Sequence, residues 1–270
     1  LSIQLTELIE SYRGNKAKYR FFDLNCWSAS TGEGQLTPLT GLEVLIRELG
    51  SHHIHDVLIT NPQCLDYNAG VGNEQLIEQI SGSASVYGAI IWAPELAASR
   101  QHIAGYLDRM IAHNIAAVRM FPKKLNYSLQ KWQVGDVLLE MEARRLPLIL
   151  WHMEASWETV HDICTQYPKL PVIIEGNDQK LLYHNRYFIR LLEMCPNLYI
   201  ETHNLIQHGG VEYLVNDRAI DRLIFGSYFP YNDPNSAMMM ITEADIPEEA
   251  KFNIAGGHLR RLIGQIHPKP

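Results

Sequence analysis

An α/β barrel of the (β/α)8 type, a TIM barrel with a short N-terminal helical extension, is the fold this sequence predicts, and three observations predict it. Eight short apolar, β-branched runs recur along the chain, and helical spacing fills the stretches between them. Several of these runs, LPLILW at Leu146–Trp151 and PVII at Pro171–Ile174 among them, are almost continuously apolar. That is the pattern of parallel strands covered on both faces. No composition break and no Pro/Ser-rich linker divides the 270 residues, so one barrel domain over 1–270 is expected rather than two domains.

The predicted strands are Phe21–Trp27, Asp56–Asn61, Val86–Ala93, Ala116–Phe121, Pro147–His152, Pro171–Glu175, Asn197–Glu201 and Arg222–Ser227. A helix over Leu39–Leu49 follows from the stripe Leu42, Leu45, Ile46 and Leu49. Pro94–Asn114 opens with a proline suited to a first turn and carries Leu96, Ile103, Leu107, Met110 and Ile111. Further helices are expected near Trp132–Arg145, Ser156–Tyr167, Leu181–Met194 and His208–Asn216. The last, Pro247–Gly264, places Glu248 and Glu249 early and Arg260 and Arg261 late, matching the helix dipole. The rival architecture, a doubly wound open sheet, usually begins with a glycine-rich turn after its first strand; Asp23–Ser30 has none.

Hydrophobic residues make up 46% of the chain and charged residues 20%, enough apolar material for a large core. The formal net charge of -7 argues against nucleic acid or an anionic membrane as a generic partner, because both require a basic face. Cys26, Cys64, Cys164 and Cys195 form no CxxC pair, so buried free thiols are expected rather than a zinc ribbon or disulfide scaffold. No apolar run has the length of a membrane span, and Leu1–Arg13 lacks the core of a signal peptide. A cytoplasmic protein, free or as a homo-oligomer, is the expectation.

In such a barrel the reactive groups project from the C-terminal ends of the strands. Read in order, those ends carry Asn25, Arg119, His152, Glu175, Glu201, His203 and Tyr228. A polar ring at the mouth of an apolar barrel costs desolvation free energy unless its members pair or meet a ligand. Either Arg119 pairs with Glu175 or Glu201 in a structural network, or the ring lines a pocket for a small molecule. Elsewhere, His52-His53-Ile54-His55 reads as a solvated connection at the opposite end of the barrel. Tyr183-His184-Asn185-Arg186 reads as a partly exposed helix surface, Gly256-Gly257-His258 as a turn into the last helix, and Met238-Met239-Met240 as core.

The order and spacing of FFDLNCW (Phe21–Trp27), IAAVRMFP (Ile115–Pro122), LPLILWH (Leu146–His152) and YPKLPVIIEGN (Tyr167–Asn177) carry a resemblance. NLYIETH (Asn197–His203), DRLIFGSYFP (Asp221–Pro230) and NIAGGHLRRLIG (Asn253–Gly264) extend it. Together they resemble the amidohydrolase-related, TIM-barrel metal-dependent hydrolases across nearly the whole chain. In that family the first strand ends in an acidic-x-His-x-His run that binds metal; here the two His positions hold Asn25 and Trp27. The family's last-strand Asp falls on Tyr228, and its fifth-strand His on Trp151 or His152. Its sixth-strand His falls within Glu175–Asn177, which contains none. An indole offers no lone pair to an ion, and an amide or phenol replaces imidazole poorly.

The resemblance therefore implies a hydrolase or decarboxylase acting on a small carboxylate, lactone, amide or aromatic acid, with a degenerate metal site and no cofactor. His152 or Glu175 would be the general base and Tyr228 or His203 the proton donor. Asn25, Trp27, Arg119, Trp151, Asn177 and Glu201 would contact substrate, with Arg119 orienting an anionic group through its planar fork. A catalytically inactive barrel binding a small ligand or a protein partner is the second reading. A zinc hydrolase with a rearranged site on His152, Glu175 and His203 is the third. Strongly separated pKa values at the mouth would favour an enzyme; a large apolar patch around it would favour a partner.

Overall fold

The structure, a computed structural model, describes residues 2–28, 41–218 and 220–268. Eight parallel strands follow one another in the order β1 to β8. They are β1 Phe22–Trp27, β2 Asp56–Thr60, β3 Val86–Trp92, β4 Ile115–Met120, β5 Leu148–Trp151, β6 Val172–Glu175, β7 Leu198–Glu201 and β8 Leu223–Ile224. Past β8 the chain closes the barrel against β1. Leu24 N–H donates to Phe225 O at 3.1 Å, Trp27 N–H donates to Phe229 O at 2.9 Å, and Cys26 bridges Phe229.

Helix α1 (Ser2–Lys18) is the N-terminal extension. Around the sheet lie α2 (Leu42–Ser51), α3 (Gln63–Asp66), α4 (Ala69–Ile80), α5 (Arg100–Ala112), α6 (Lys131–Ala143), α7 (Trp157–Gln166) and α8 (Asn185–Met194). The short α9 (Gly210–Glu212) follows, then α10 (Pro234–Thr242), α11 (Glu248–Phe252) and α12 (His258–Ile263). The start expected for the first core helix, Leu39, lies outside the described residues, as do Ala29 and Ser30. The sequence pattern passed over α4 and α10. The stretch Pro94–Asn114 is broken after a 3-10 turn at Pro94–Leu96, because Ser99 caps α5 by accepting from His102 N–H.

The turn expected at Gly256-Gly257 is corrected. Asn253–Gly257 is a π-helical segment joining α11 to α12 without a break. A Cβ at Gly256 would collide with Arg260, so the glycine is there for close approach. His258 lies just beyond and donates from Nδ1 to Leu223 O at 2.8 Å. Of the three methionines, Met238 is core, whereas Met239 is 47% exposed.

Side chains separate by strand alternation. One face of the sheet meets the helices through residues such as Ile59, Ile90, Val118, Leu150 and Ile174. The other fills the barrel with Phe22, Leu24, Leu58, Ala89, Ala117, Ile149, Ile173 and Ile224. A third cluster caps the C-terminal end, with Trp27, Ile91 and Phe121 buried and Trp151, Tyr228 and Tyr231 packed against them. All four cysteines are buried and free. No helix among the described residues is long and apolar enough to cross a membrane.

Candidate functional site at the barrel mouth

Strand β1 slips register against β2 between Asp23 and Cys26. Across this slip the inward-facing set passes from Phe22 and Leu24 to Asn25 and Trp27, so both positions compared above with a His-x-His pattern point into the barrel. The pairing Trp151↔Glu175 settles β5. Trp151 shares the inner face with Ile149, while His152 turns outward beside Trp157 and His184. Its ring is 5.0 Å from that of His184.

The ring read from the sequence divides into two levels. In the lower level Asn25, Arg119, Glu175 and Glu201 are wholly buried. Arg119 forms a close ion pair with Glu175 and donates to Leu24 O at 3.2 Å and Asn25 Oδ1 at 3.4 Å. Asn25 in turn donates to Asn177 Oδ1 at 3.1 Å, and Asn177 donates to Glu175 Oε1 at 3.1 Å. Below them the Asp23 carboxylate accepts from Ser227 N–H at 2.9 Å and from Asn25 N–H at 3.0 Å, and also from the Ser227 hydroxyl. Burial raises the pKa of Asp23 against these hydrogen bonds.

Trp27 closes the lower level from above. Its ring lies 5.4 Å from the Arg119 guanidinium, and its Nε1–H donates to Asn25 Oδ1 at 3.0 Å. A desolvated cation over an indole contributes about 2 kcal/mol. Arg119 therefore sits one layer beneath any molecule resting on Trp27, and it holds Glu175 rather than a substrate carboxylate.

Glu201 and His203 form the second buried pair. His203 N–H donates to Glu201 Oε1 at 2.8 Å, and its Nδ1 approaches Oε2 at 2.6 Å. Nε2 meets the Asn177 carbonyl at 2.6 Å. A carboxylate and a carbonyl are both acceptors, so both ring nitrogens carry protons and the ring is an imidazolium. Burial alone would lower its pKa, but the Glu201 charge and hydrogen bond, with the Asn177 carbonyl, raise it. Asn177 and Tyr228, at the ends of the sixth and eighth strands, both take left-handed backbone, at φ 43° and 58°. Such strain in non-glycine residues is retained where the surroundings fix it. Here it aims the Asn177 carbonyl at His203 and lays the Tyr228 ring over the imidazolium, 5.4 Å between centroids.

The upper level is an aromatic cavity of about 140 Å³. Trp27 is its floor; Phe121, Trp151, Tyr228 and Tyr231 are its walls; Asp66, Lys124 and Asp178 stand at its rim. Lys124 Nζ lies 5.1 Å from the Trp151 ring and 5.6 Å from Phe121. Burial, with the nearby Asp178 charge, raises the pKa of Tyr228, so its hydroxyl stays protonated. Of the residues read from sequence, the cavity gathers Trp27, Trp151, Asn177 and Tyr228. Phe121, Lys124, Asp178 and Tyr231 were missed, although IAAVRMFP stops one residue before the lysine pair Lys123-Lys124.

His152 flanks the cavity rather than lining it. Glu175 O accepts from Nδ1 at 3.3 Å, leaving the lone pair on Nε2. Burial lowers its pKa from 6.5 to about 4. Because the folded state prefers the neutral ring, its stabilising effect is whole above pH 6.5, declines as pH falls toward about 4, and is lost below. Denaturant titrations across that window are expected to show a shallower slope for His152→Gln than for the parent; equal slopes would mean the ring charges freely when folded. The adjacent His184 is turned inward, accepting from Trp157 Nε1–H at 3.0 Å, while Tyr183 is 73% exposed as the helix-surface reading expects.

A divalent ion does not fit this donor set. Asn25 is hydrogen-bonded at both ends of its amide, Trp27 has no lone pair to give, and His203 has both nitrogens engaged. Among the described residues no three His, Cys, Asp or Glu side chains are grouped to hold a metal.

No family model and no curated protein matches the sequence. Solved structures do match in fold. An uncharacterized TIM-barrel protein from Bordetella bronchiseptica superposes with TM-score 0.68 at 15% identity, over 91% of this chain and 98% of that one. The 5-carboxyvanillate decarboxylase LigW from Sphingomonas paucimobilis gives 0.65 at 14%, over 93% and 100%. A dihydroxybenzoic acid decarboxylase from Polaromonas sp. JS666, with bound manganese and the inhibitor 2-nitroresorcinol, gives 0.70 at 12%, over 90% and 96%. An amidohydrolase II is also among the structural neighbours. The chain thus has the TIM-barrel fold that these structures share.

Proposed function

We propose that the chain is a small-molecule enzyme of the hydrolase or decarboxylase kind, acting on a single-ring aromatic or similarly compact carboxylic acid without a metal ion. The observation that carries this reading is the aromatic cavity on Trp27, with a lysine at its rim and the Tyr228 hydroxyl within its wall. At about 140 Å³ the cavity is smaller than a typical drug-sized site, which favours one ring over two. Flat walls of Trp27, Phe121 and Trp151 stack a ring, and Lys124 meets its carboxylate as a point charge. The decarboxylases of similar fold act on substituted benzoic acids, which supports the same substrate chemistry here.

Tyr228 supplies the proton: to ring carbon as carbon dioxide leaves, or to the departing oxygen or nitrogen in hydrolysis. Asp178 at the rim takes the part of base toward water in the hydrolytic case, since Glu175 is committed to Arg119 and His152 faces away. His203 supports the Tyr228 ring from beneath and fixes where its hydroxyl points. The second reading, a binding barrel without catalysis, draws on the pairing of the buried carboxylates Glu175 and Glu201 with Arg119 and His203, which leaves no free base there.

The test is a panel of hydroxylated benzoic acids and aromatic lactones, assayed for product with and without chelator. Tyr228→Phe is expected to lower kcat/KM by about 100-fold or more while leaving ligand affinity within a few fold. Lys124→Ala is expected to raise KM for acids with less effect on kcat. Activity that requires an added divalent ion would sink the metal-independent mechanism. Tight binding with no turnover by the parent protein would leave the binding reading.

A further inference from the structure

The groove between α7 and α8 is a second concavity, of about 380 Å³, on the outer wall of the barrel. Its base is apolar: the Trp157 and Tyr187 rings stack at 6.4 Å with planes 5° apart, and Leu191 packs below. Its two banks carry opposite charge. Glu158 and Asp162 stand exposed on α7, Arg186 and Arg190 on α8, and all four line the groove. Among the described residues no ion pair joins these acids to these arginines; Asp162 has only His161 at 3.6 Å, and Arg190 has Glu193 at 3.1 Å.

The spacing of the charges is the informative part. Glu158 and Arg186 are each the second residue of their helix, and Asp162 and Arg190 each the sixth. Four residues rise about 6 Å along a helix, so the acidic pair and the basic pair have equal pitch. Successive helices of a barrel run in the same direction. A two-fold axis laid along the groove, parallel to both helices, sets the α7 of one copy on the α8 of the other at equal height. Trp157 lies against the rings of His184, Tyr187 and Phe188, which sets the two helix starts level, so Glu158 then meets Arg186 and Asp162 meets Arg190, twice over. An isologous interface requires this self-complementarity. The neighbouring surface extends the contact in kind: Tyr183, Tyr187 and Met194 are 73%, 55% and 50% exposed, and aromatic residues with arginine are what interface centres concentrate.

We propose that this groove is a homodimer interface, its occupant a second copy of the chain turned about that axis. Sedimentation velocity of the full chain is expected to give a dimer at micromolar concentration. Arg190→Glu alone and Asp162→Lys alone each place like charges opposite one another at both contacts. Each is expected to weaken Kd by more than about 100-fold, with the far-UV circular dichroism of the folded protein unchanged because both side chains are exposed. An equimolar mixture of the two variants restores opposite charges at Asp162 and Arg190 contacts, and is expected to return the dimer. A monomeric parent at ~100 µM, on the scale of weak specific association, overturns the proposal. So does a parent dimer that survives either reversal, or a mixture that stays monomeric.

Discussion

Replacing Arg119 by methionine is expected to cost about 3–5 kcal/mol of folding stability, the largest single loss at the barrel mouth. Arg119 and Glu175 are both wholly buried, so removing the guanidinium strands a carboxylate in a layer that water does not reach. The Leu24 carbonyl loses its donor at the same time. Adding Glu175→Gln to Arg119→Met is expected to recover at least 2 kcal/mol, since two neutral groups replace an ion pair and the amide oxygen still accepts from Asn177. Urea denaturation of the four proteins in the cycle measures the coupling. If the double variant proved no more stable than Arg119→Met, the loss would come from the Leu24 and Trp27 contacts and not from an unpaired charge.

This buried pair also marks the limit of what the sequence could disclose. The strands were legible because runs such as LPLILW and PVII are covered on both faces and tolerate no polar residue in their middles. Their ends were legible as a polar ring for the same reason. Whether a given residue at an end faces the cavity depends on pairing register, and a shift of one residue exchanges the faces. Trp151 and His152 could not be ordered until Trp151 was seen opposite Glu175. On β1 an irregularity between Asp23 and Cys26 put Asn25 and Trp27 inside after Leu24 was already inside, which strict alternation does not foresee. Depth was hidden too. Arg119 reads as an anion-binding residue by type, yet Trp27, three strands away in sequence, covers it. Lys124 and Tyr231 come from connections whose path over the mouth no periodicity encodes. The eighth strand shrank to Leu223–Ile224 because Phe225 donates to Ile254 of the π-helical segment.

Gly226→Ala is expected to be nearly as damaging as the loss of Arg119, and by a different route. A Cβ on Gly226 would overlap the Glu201 carboxylate and its adjacent carbons. Glu201 has no room to yield: it is wholly buried and held by both His203 N–H and the His203 ring. Displacing it breaks a buried charged pair, at about 3–5 kcal/mol. The distinguishing signature is in pH. With its folded pKa raised above 6.5, His203 contributes stability that is whole below pH 6.5 and lost as pH rises through the folded value. The parent should therefore lose this contribution on the alkaline side, whereas Gly226→Ala, lacking the Glu201 contact, should not. An imidazole NMR titration of His203 follows the same event directly, and an unmoved titration in a destabilised variant would place the damage in the backbone instead. Because the Tyr228 ring rests on His203 at 5.4 Å, the loss should reach the cavity: kcat should fall with the alkaline stability slope, while the affinity set by Lys124 and the aromatic walls persists. Parallel loss of both would tie the whole cavity, and not only its proton donor, to the Glu201–His203 pair.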